Sequence, residues 1–276
     1  MDKIKMIGFD LDGTLLNSMK ELTDYTKNVL TKAAEQGVII LPATGRPVTG
    51  IPRELITFPW IRYAVASNGG RIVDLREDKL LYNCPVDYDL SVKILKIFDD
   101  YDVIHEIYFD GQGYIQESEL ECLSRYVPSA PMADYIRSTR LPIPDLWGKM
   151  EEMKGHGLDK VHAIFADQKA QKEAETRIRA LGDLEISSAM GHNVEVNAAG
   201  VDKGTGMLRL GRLLGIRREE IMTCGDGNND LPMIRAAGLG VAMANAIDEV
   251  KQAADYITCT NDEDGVAKAI ERFVLR

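Results

Sequence analysis

One stretch constrains this chain more than any other: Met6-Ile7-Gly8-Phe9-Asp10-Leu11-Asp12-Gly13-Thr14-Leu15-Leu16. The apolar run from Ile4 to Phe9 reads as a strand buried on both faces of a parallel sheet. It ends in two carboxylates one residue apart and then turns on a glycine. In open α/β sheets, functional groups gather at the carboxyl ends of strands, which places Asp10 at such an end and Asp12 on the loop beyond it. Two ionised acids this close repel each other unless a cation or a proton holds them, so the pair points to a divalent metal, a shared proton, or both.

The same rhythm recurs along the chain. A helical pattern through Leu22, Tyr25, Val29 and Ala33 closes at Gly37, and Val38 to Leu41 is a second apolar strand running into Thr44-Gly45-Arg46. Tyr63 to Ala66 is a third, ending in Ser67-Asn68-Gly69-Gly70. After residue 190 the texture returns: Lys203 opens a helix beside Asp202, Ile221 to Cys224 ends in Gly225-Asp226-Gly227-Asn228-Asn229-Asp230, and Leu239 to Ala242 and Tyr256 to Thr258 follow. Asn245 is placed as an N-cap for the helix through Ala254. Strands alternating with helices predict an α/β fold, a Rossmann-like parallel sheet flanked by helices.

Between these halves the pattern changes. A helix around Leu90 to Phe98, strands at Val103 to Phe109 and Tyr114 to Gln116, a strand at Lys160 to Ala166, a helix at Gln168 to Leu181, and strands at Leu184 to Ser188 and Asn193 to Val196 describe an α+β module. Residues 118–156, with two proline-rich runs, give no clear pattern. The expected organisation is a core of residues 1–83 and 190–276 interrupted by an insertion of residues 84–189.

Charge narrows the partners. With 43 acidic against 33 basic residues, the net charge is −10, which disfavours nucleic acid and anionic membrane surfaces. An anion would need local positive charge from a metal, a lysine or helix N-termini. The start, Met1-Asp2-Lys3-Ile4-Lys5, carries no signal-peptide pattern, and no apolar run approaches the ~20 residues of a membrane span. The four cysteines and four histidines lack zinc spacing, Cys224 reads as a buried strand residue, and the histidines read as structural or exposed. A cytoplasmic protein is expected, with no expectation for its oligomeric state.

Four clusters then fall at strand ends or helix starts: Asp10 with Asp12, Thr44-Gly45-Arg46, Lys203, and Asp226 with Asn229 and Asp230. In a parallel sheet they converge on one edge. The carboxylates offer oxygen ligands suited to Mg²⁺, Thr44 and Lys203 offer donors to an anion, and of Asp10 and Asp12 one can attack while the other donates a proton. A calcium loop does not fit, since Leu15 or Leu231 occupies the position that needs glycine.

This order of motifs, Asp10-Leu11-Asp12-Gly13-Thr14, Thr44, Lys203 and Gly225 to Asp230, resembles the haloacid dehalogenase-like (HAD) superfamily. The insertion between the second and third motifs, with helix-strand-strand units at both ends, resembles the type IIB cap of the Cof-type phosphatases. The resemblance implies that Asp10 is a nucleophile forming an aspartyl-phosphate and that Asp12 is the acid and then the base. It implies that Asp10, the Asp12 carbonyl and Asp226 hold Mg²⁺, with Asp230 orienting the metal's water. Thr44 with Gly45, Lys203 and Asn229 would bind the phosphoryl group. Arg46, as a supporting residue, stays open between an ion pair at a helix start and a substrate contact. The implied substrate is a small phosphorylated metabolite, a sugar phosphate or phosphorylated cofactor. A phosphomutase and a non-enzymatic phospho-aspartate receiver remain as alternatives. A dehalogenase does not need Asp12.

Overall fold

The computed structural model describes residues 3–275. Met1 and Asp2, at the expected leaderless start, and Arg276, at the end of the expected core, lie outside the described residues. The chain divides into two units, one of Met1–Gly45, Pro52–Tyr82 and Asp202–Arg276, the other of Arg46–Ile51 and Asn83–Val201. The strands are β1 (Met6–Phe9), β2 (Ile39–Pro42), β3 (Tyr63–Ala66), β4 (Arg71–Asp74), β5 (Lys79–Asn83), β6 (Val103–Phe109) and β7 (Gln112–Gln116). They continue with β8 (Arg140–Ile143), β9 (Lys160–Phe165), β10 (Leu184–Ser187), β11 (Asn193–Ala198), β12 (Ile221–Gly225), β13 (Leu239–Ala242) and β14 (Tyr256–Ile257).

In the first unit five parallel strands lie in the order β14-β13-β12-β1-β2. β1 is the strand between β12 and β2, and its four residues are all buried, as a strand covered on both faces requires. Its register sets Phe9 level with Cys224 and with Pro42. The residues just past those three strands are Asp10, Asp226 and Thr44 or their neighbours, so the pairing itself gathers them. The helix Asp24–Glu35 is capped by the Thr23 side chain, and Lys203–Leu213 by a capping box between Asp202 and Thr205.

Two readings need correction here. Tyr63–Ala66 does not extend the parallel sheet as a full strand. It forms a three-stranded sheet in the order β3-β4-β5, antiparallel to β4, and meets the β2 segment in the parallel sense through the isolated bridges Ile40–Ile61 and Ala43–Val65 rather than a full ladder. The cause is the turn after it, where Ser67, Asn68 and Gly69 all take positive φ and send the chain back. A Cβ on Gly69 would lie 2.2 Å from the Asp202 carbonyl oxygen, so only glycine fits. Asn245 caps no helix. The helix Asp248–Ala253 starts without a side-chain cap, because the Asn245 amide is used to donate to the Gly13 carbonyl at 2.8 Å and to accept from Asn261 N at 3.0 Å.

The second unit holds a six-stranded sheet, β10-β11-β9-β6-β7-β8, antiparallel except where β7 meets β8. Strand alternation gives its faces different contents. Ile107, Val161, Ala163, Phe165, Val194 and Val196 pack with Ile94, Leu95 and Phe98 of helix Tyr88–Phe98 and Ile178 of helix Gln168–Arg179. Ile104, Ile115 and Ile164 of the other face pack with Leu123, Tyr126 and Ile136. The insertion extends beyond the expected residue 189, because β11 pairs with β10 and β9 and not with the parallel sheet. Residues 46–51 also belong to this unit. No helix among the described residues is long and apolar enough to cross a membrane.

Candidate active site

Asp10 follows the last residue of β1, its N–H donating to the Cys224 carbonyl at 3.0 Å. The chain then coils tightly, with Leu15 N donating to Asp10 O and Leu16 N to Leu11 O. Gly13 takes φ +80°, and a Cβ there would sit 2.4 Å from Asp226 Oδ2. Glycine thus lets the first acidic loop approach the second. The neighbouring Thr14 hydroxyl donates to Asp226 Oδ1 at 2.7 Å.

Lys203 is the first residue of its helix and is fully buried. Its ammonium donates to Asp10 Oδ1 and to Asp230 Oδ1, each at 2.6 Å. Asp230 also accepts, on Oδ2, the N–H groups of Asp226 and Gly227 at 2.8 and 2.9 Å. It therefore fixes the loop that carries Asp226 while sharing Lys203 with Asp10. A buried lysine pays a desolvation penalty, but Asp10 and Asp230 hold the Lys203 ammonium well above the ordinary lysine range.

One lysine does not balance the carboxylates around it. Burial, with the charges of Asp230, Asp226 and Asp12, pushes Asp10 up to about 8 against the opposing pull of Lys203. Burial and Asp230 likewise push Asp226 up to about 7, although the Thr14 hydroxyl opposes this. Asp10, Asp226 and Asp230 each offer an oxygen, all within 4.8 Å of one another. An all-oxygen donor set carrying excess negative charge fits a hard divalent cation. Because both oxygens of Asp230 are engaged by N–H groups, Asp10 and Asp226 are the better ligands of the three. The Asp12 carboxylate is not part of this cluster and instead pairs with Lys20 at 2.6 Å.

The other expected residues are placed as follows. Thr44 is buried beyond β2, its N–H donating to the Val65 carbonyl at 2.8 Å and its own carbonyl accepting from Asn68 N at 3.0 Å. Gly45 follows it, half-buried. Asn229 is buried and donates to Asn68 Oδ1 at 3.2 Å. Arg46 belongs to the second unit, where its guanidinium donates to Gly50 O at 3.0 Å and lies 3.8 Å from the centre of the Tyr135 ring. Burial pushes the Cys224 thiol up to about 12, which keeps it protonated.

Sequence reasoning missed three contributors. Thr14 stood inside the first motif, yet nothing in its spacing marked it as a donor to Asp226. Lys20 and Asn245 lie in loops without periodicity, and only the closed fold brings them to Asp12 and Gly13.

Residues 7–270 match the family model of the haloacid dehalogenase-like hydrolases. The chain is 32% identical over 278 residues to a 5-amino-6-(5-phospho-D-ribitylamino)uracil phosphatase, YcsE, of Bacillus subtilis, covering 99% of this chain and 96% of that protein. Its structure is similar to that of a haloacid dehalogenase-like hydrolase from B. subtilis, with a TM-score of 0.88 at 27% identity over 98% of this chain and 100% of that one. It is also similar to the HAD subclass IIB sugar phosphatase BT4131, with a TM-score of 0.83 at 26% identity over 98% of both chains.

Proposed function

The chain belongs to the haloacid dehalogenase-like hydrolases and is a phosphatase, and from that premise we propose that it hydrolyses a small phosphorylated metabolite through an aspartyl-phosphate on Asp10. The substrate class is a sugar phosphate or a phosphorylated cofactor, acted on in the cytoplasm. The observation that carries the reading is the buried Asp10 carboxylate at a sheet end, held by Lys203 at 2.6 Å among three further acids.

The residues divide the work. Asp10 attacks phosphorus as the phosphorus–oxygen bond to the alcohol breaks, and Asp12 gives its proton to the departing alkoxide. In the second half, water attacks the same phosphorus, Asp12 takes its proton, and the bond to Asp10 breaks. Lys203 and Thr44, with Gly45 and Asn229, bind the phosphoryl oxygens. Asp230 keeps Lys203 and the Asp226 loop in place. Asp10, the Asp12 carbonyl and Asp226 would hold Mg²⁺, which neutralises charge on the phosphoryl group when bound. Positioning and neutralisation are most of what phosphoryl transfer asks of a protein.

The test is phosphate release from a panel of phosphorylated metabolites, including 5-amino-6-(5-phospho-D-ribitylamino)uracil and hexose phosphates, with Mg²⁺ and with EDTA. Release that needs Mg²⁺ and vanishes in Asp10→Asn, with the fold retained, is expected. Substantial metal-dependent release by Asp10→Asn would overturn the nucleophile. An isomerised sugar phosphate without free phosphate would replace the hydrolase by a mutase.

A further inference from the structure

The loop after Asp12 contains an anomaly. Lys20 has φ +64°, a left-handed conformation that glycine or asparagine adopts at less cost than lysine. The same residue sets its ammonium 2.6 Å from Asp12 Oδ1. A surface ion pair contributes little when two long side chains must be ordered to form it. Here the loop supplies that order. Asn17 Oδ1 accepts from Met19 N at 3.0 Å and Glu21 N at 2.9 Å, while Asn17 N donates to Glu21 O and Lys20 N to Asn17 O. Ser18 ties the loop to Asp262 through its N–H and its hydroxyl, both at 2.7 Å. The backbone is thus held in the strained turn independently of the ion pair, and the turn delivers the amine to Asp12.

We propose that Lys20 is a positioning residue that fixes the Asp12 carboxylate for proton transfer to the leaving group. A lysine at a left-handed position is then explained by what its side chain holds. Asp12 lies half-buried on the loop beyond β1 and pairs with Lys20, whereas Asp10 pairs with Lys203. The proposal rests on reading Asp12 as the general acid, and the experiment separates the two.

The readout is the ratio of kcat/KM on two substrates. One is the alkyl phosphate hydrolysed fastest in the panel above, whose alkoxide needs a proton to leave. The other is 4-nitrophenyl phosphate, whose phenolate leaves without one. Wild type is compared with Lys20→Met, Asp12→Asn and the double variant, and with Lys20→Arg as the conservative change. The expected result is a ratio that falls about tenfold in Lys20→Met and stays within about threefold of wild type in Lys20→Arg. It should fall no further when Lys20→Met is added to Asp12→Asn, because the two residues act as one. A ratio lowered by Asp12→Asn but unmoved by Lys20→Met overturns the role of Lys20 and leaves the acid standing. A ratio unmoved by Asp12→Asn overturns the acid itself, and the proposal with it. Lys20→Gly also relieves the backbone, so a ratio that falls in both Lys20→Met and Lys20→Gly assigns the loss to the missing amine.

Discussion

Past the ends of β1 and β12, Asp10 and Asp230 share Lys203, Asp12 pairs with Lys20, and Asp226 accepts from the Thr14 hydroxyl. On the sheet of the second unit, Glu106 and Glu195 each meet a cation. Glu106 Oε2 accepts from Arg140 Nε at 3.0 Å and from the Tyr108 hydroxyl at 2.7 Å, and Lys160 donates to Glu195 at 2.8 Å. His162 joins this network, with Nδ1 3.1 Å from Glu106 Oε2 and Nε2 3.0 Å from the Asn193 amide nitrogen. Asp10 and Glu106 are both buried, yet they titrate in opposite directions. Asp10 is pushed up to about 8 because acids outnumber cations around it. Glu106 is held far below the carboxylate range: burial opposes this, but Arg140 and His162 prevail. The Glu106 cluster settles its own charge as folded, although the second carboxylate oxygen, Oε1, is buried without a hydrogen-bond partner. A cluster that cannot is arranged for something that arrives with positive charge or a transferable group.

Several substitutions would break or sharpen this contrast. The largest effect is expected from Lys203→Met, which leaves Asp10 and Asp230 without their shared cation. Turnover should fall at least about a thousandfold in the phosphate-release assay. A loss below tenfold would mean that Lys203 is structural, as Arg140 is. Next, Arg140→Met strands the buried Glu106 carboxylate and should cost about 3–5 kcal/mol in urea unfolding. Adding Glu106→Leu should restore most of that, since replacing both partners removes the unpaired charge. Failure to recover would place the value of Arg140 in its contacts with the Tyr108 and Tyr135 rings, 5.1 and 5.0 Å away.

A smaller effect should come from the cation. Mg²⁺ at a hundredfold excess over its Kd should stabilise the protein by about 2.7 kcal/mol, read as a rise in Tm, and Asp226→Asn should remove the rise. An equal rise in Asp226→Asn would move the cation elsewhere. The smallest effect is on pH dependence. The folded Glu106 pKa lies below its unfolded value of about 4.3, so its contribution is present above that value and is lost as pH falls from there toward the folded pKa. The stability gap between wild type and Glu106→Gln should therefore narrow below about pH 4. A gap constant from pH 7 to pH 3 would show that Glu106 gains nothing from its charge.

Strands β1, β12 and β13 are legible because each is buried on both faces and so reads as an apolar run ending in polar residues. Asp10, Thr44 and Asp226 stand at or just past strand ends, and Lys203 at a helix start. What was not legible shares a physical cause. β8 contains Pro142, which removes a ladder donor, so its sequence does not look like a strand; it is tolerated because β8 is an edge. β11 alternates as clearly as any strand, but alternation does not say which sheet it joins, and a boundary after residue 189 cuts it off from the sheet it pairs with. Arg46 follows Thr44-Gly45 directly, yet its guanidinium stacks on Tyr135, a pairing no spacing announces. Lys20 depends on a left-handed backbone at a residue that rarely adopts one.

The Lys203–Asp10 contact joins residues 193 positions apart in the chain. Synthesis runs from the amino end, so Asp10 leaves the ribosome early and its lysine and the Asp226 loop arrive late. The whole of the second unit is translated in the interval. A nascent or truncated chain therefore carries Asp10 without its counter-charge, which arrives only with Lys203 and with the β12 strand that pairs with β1.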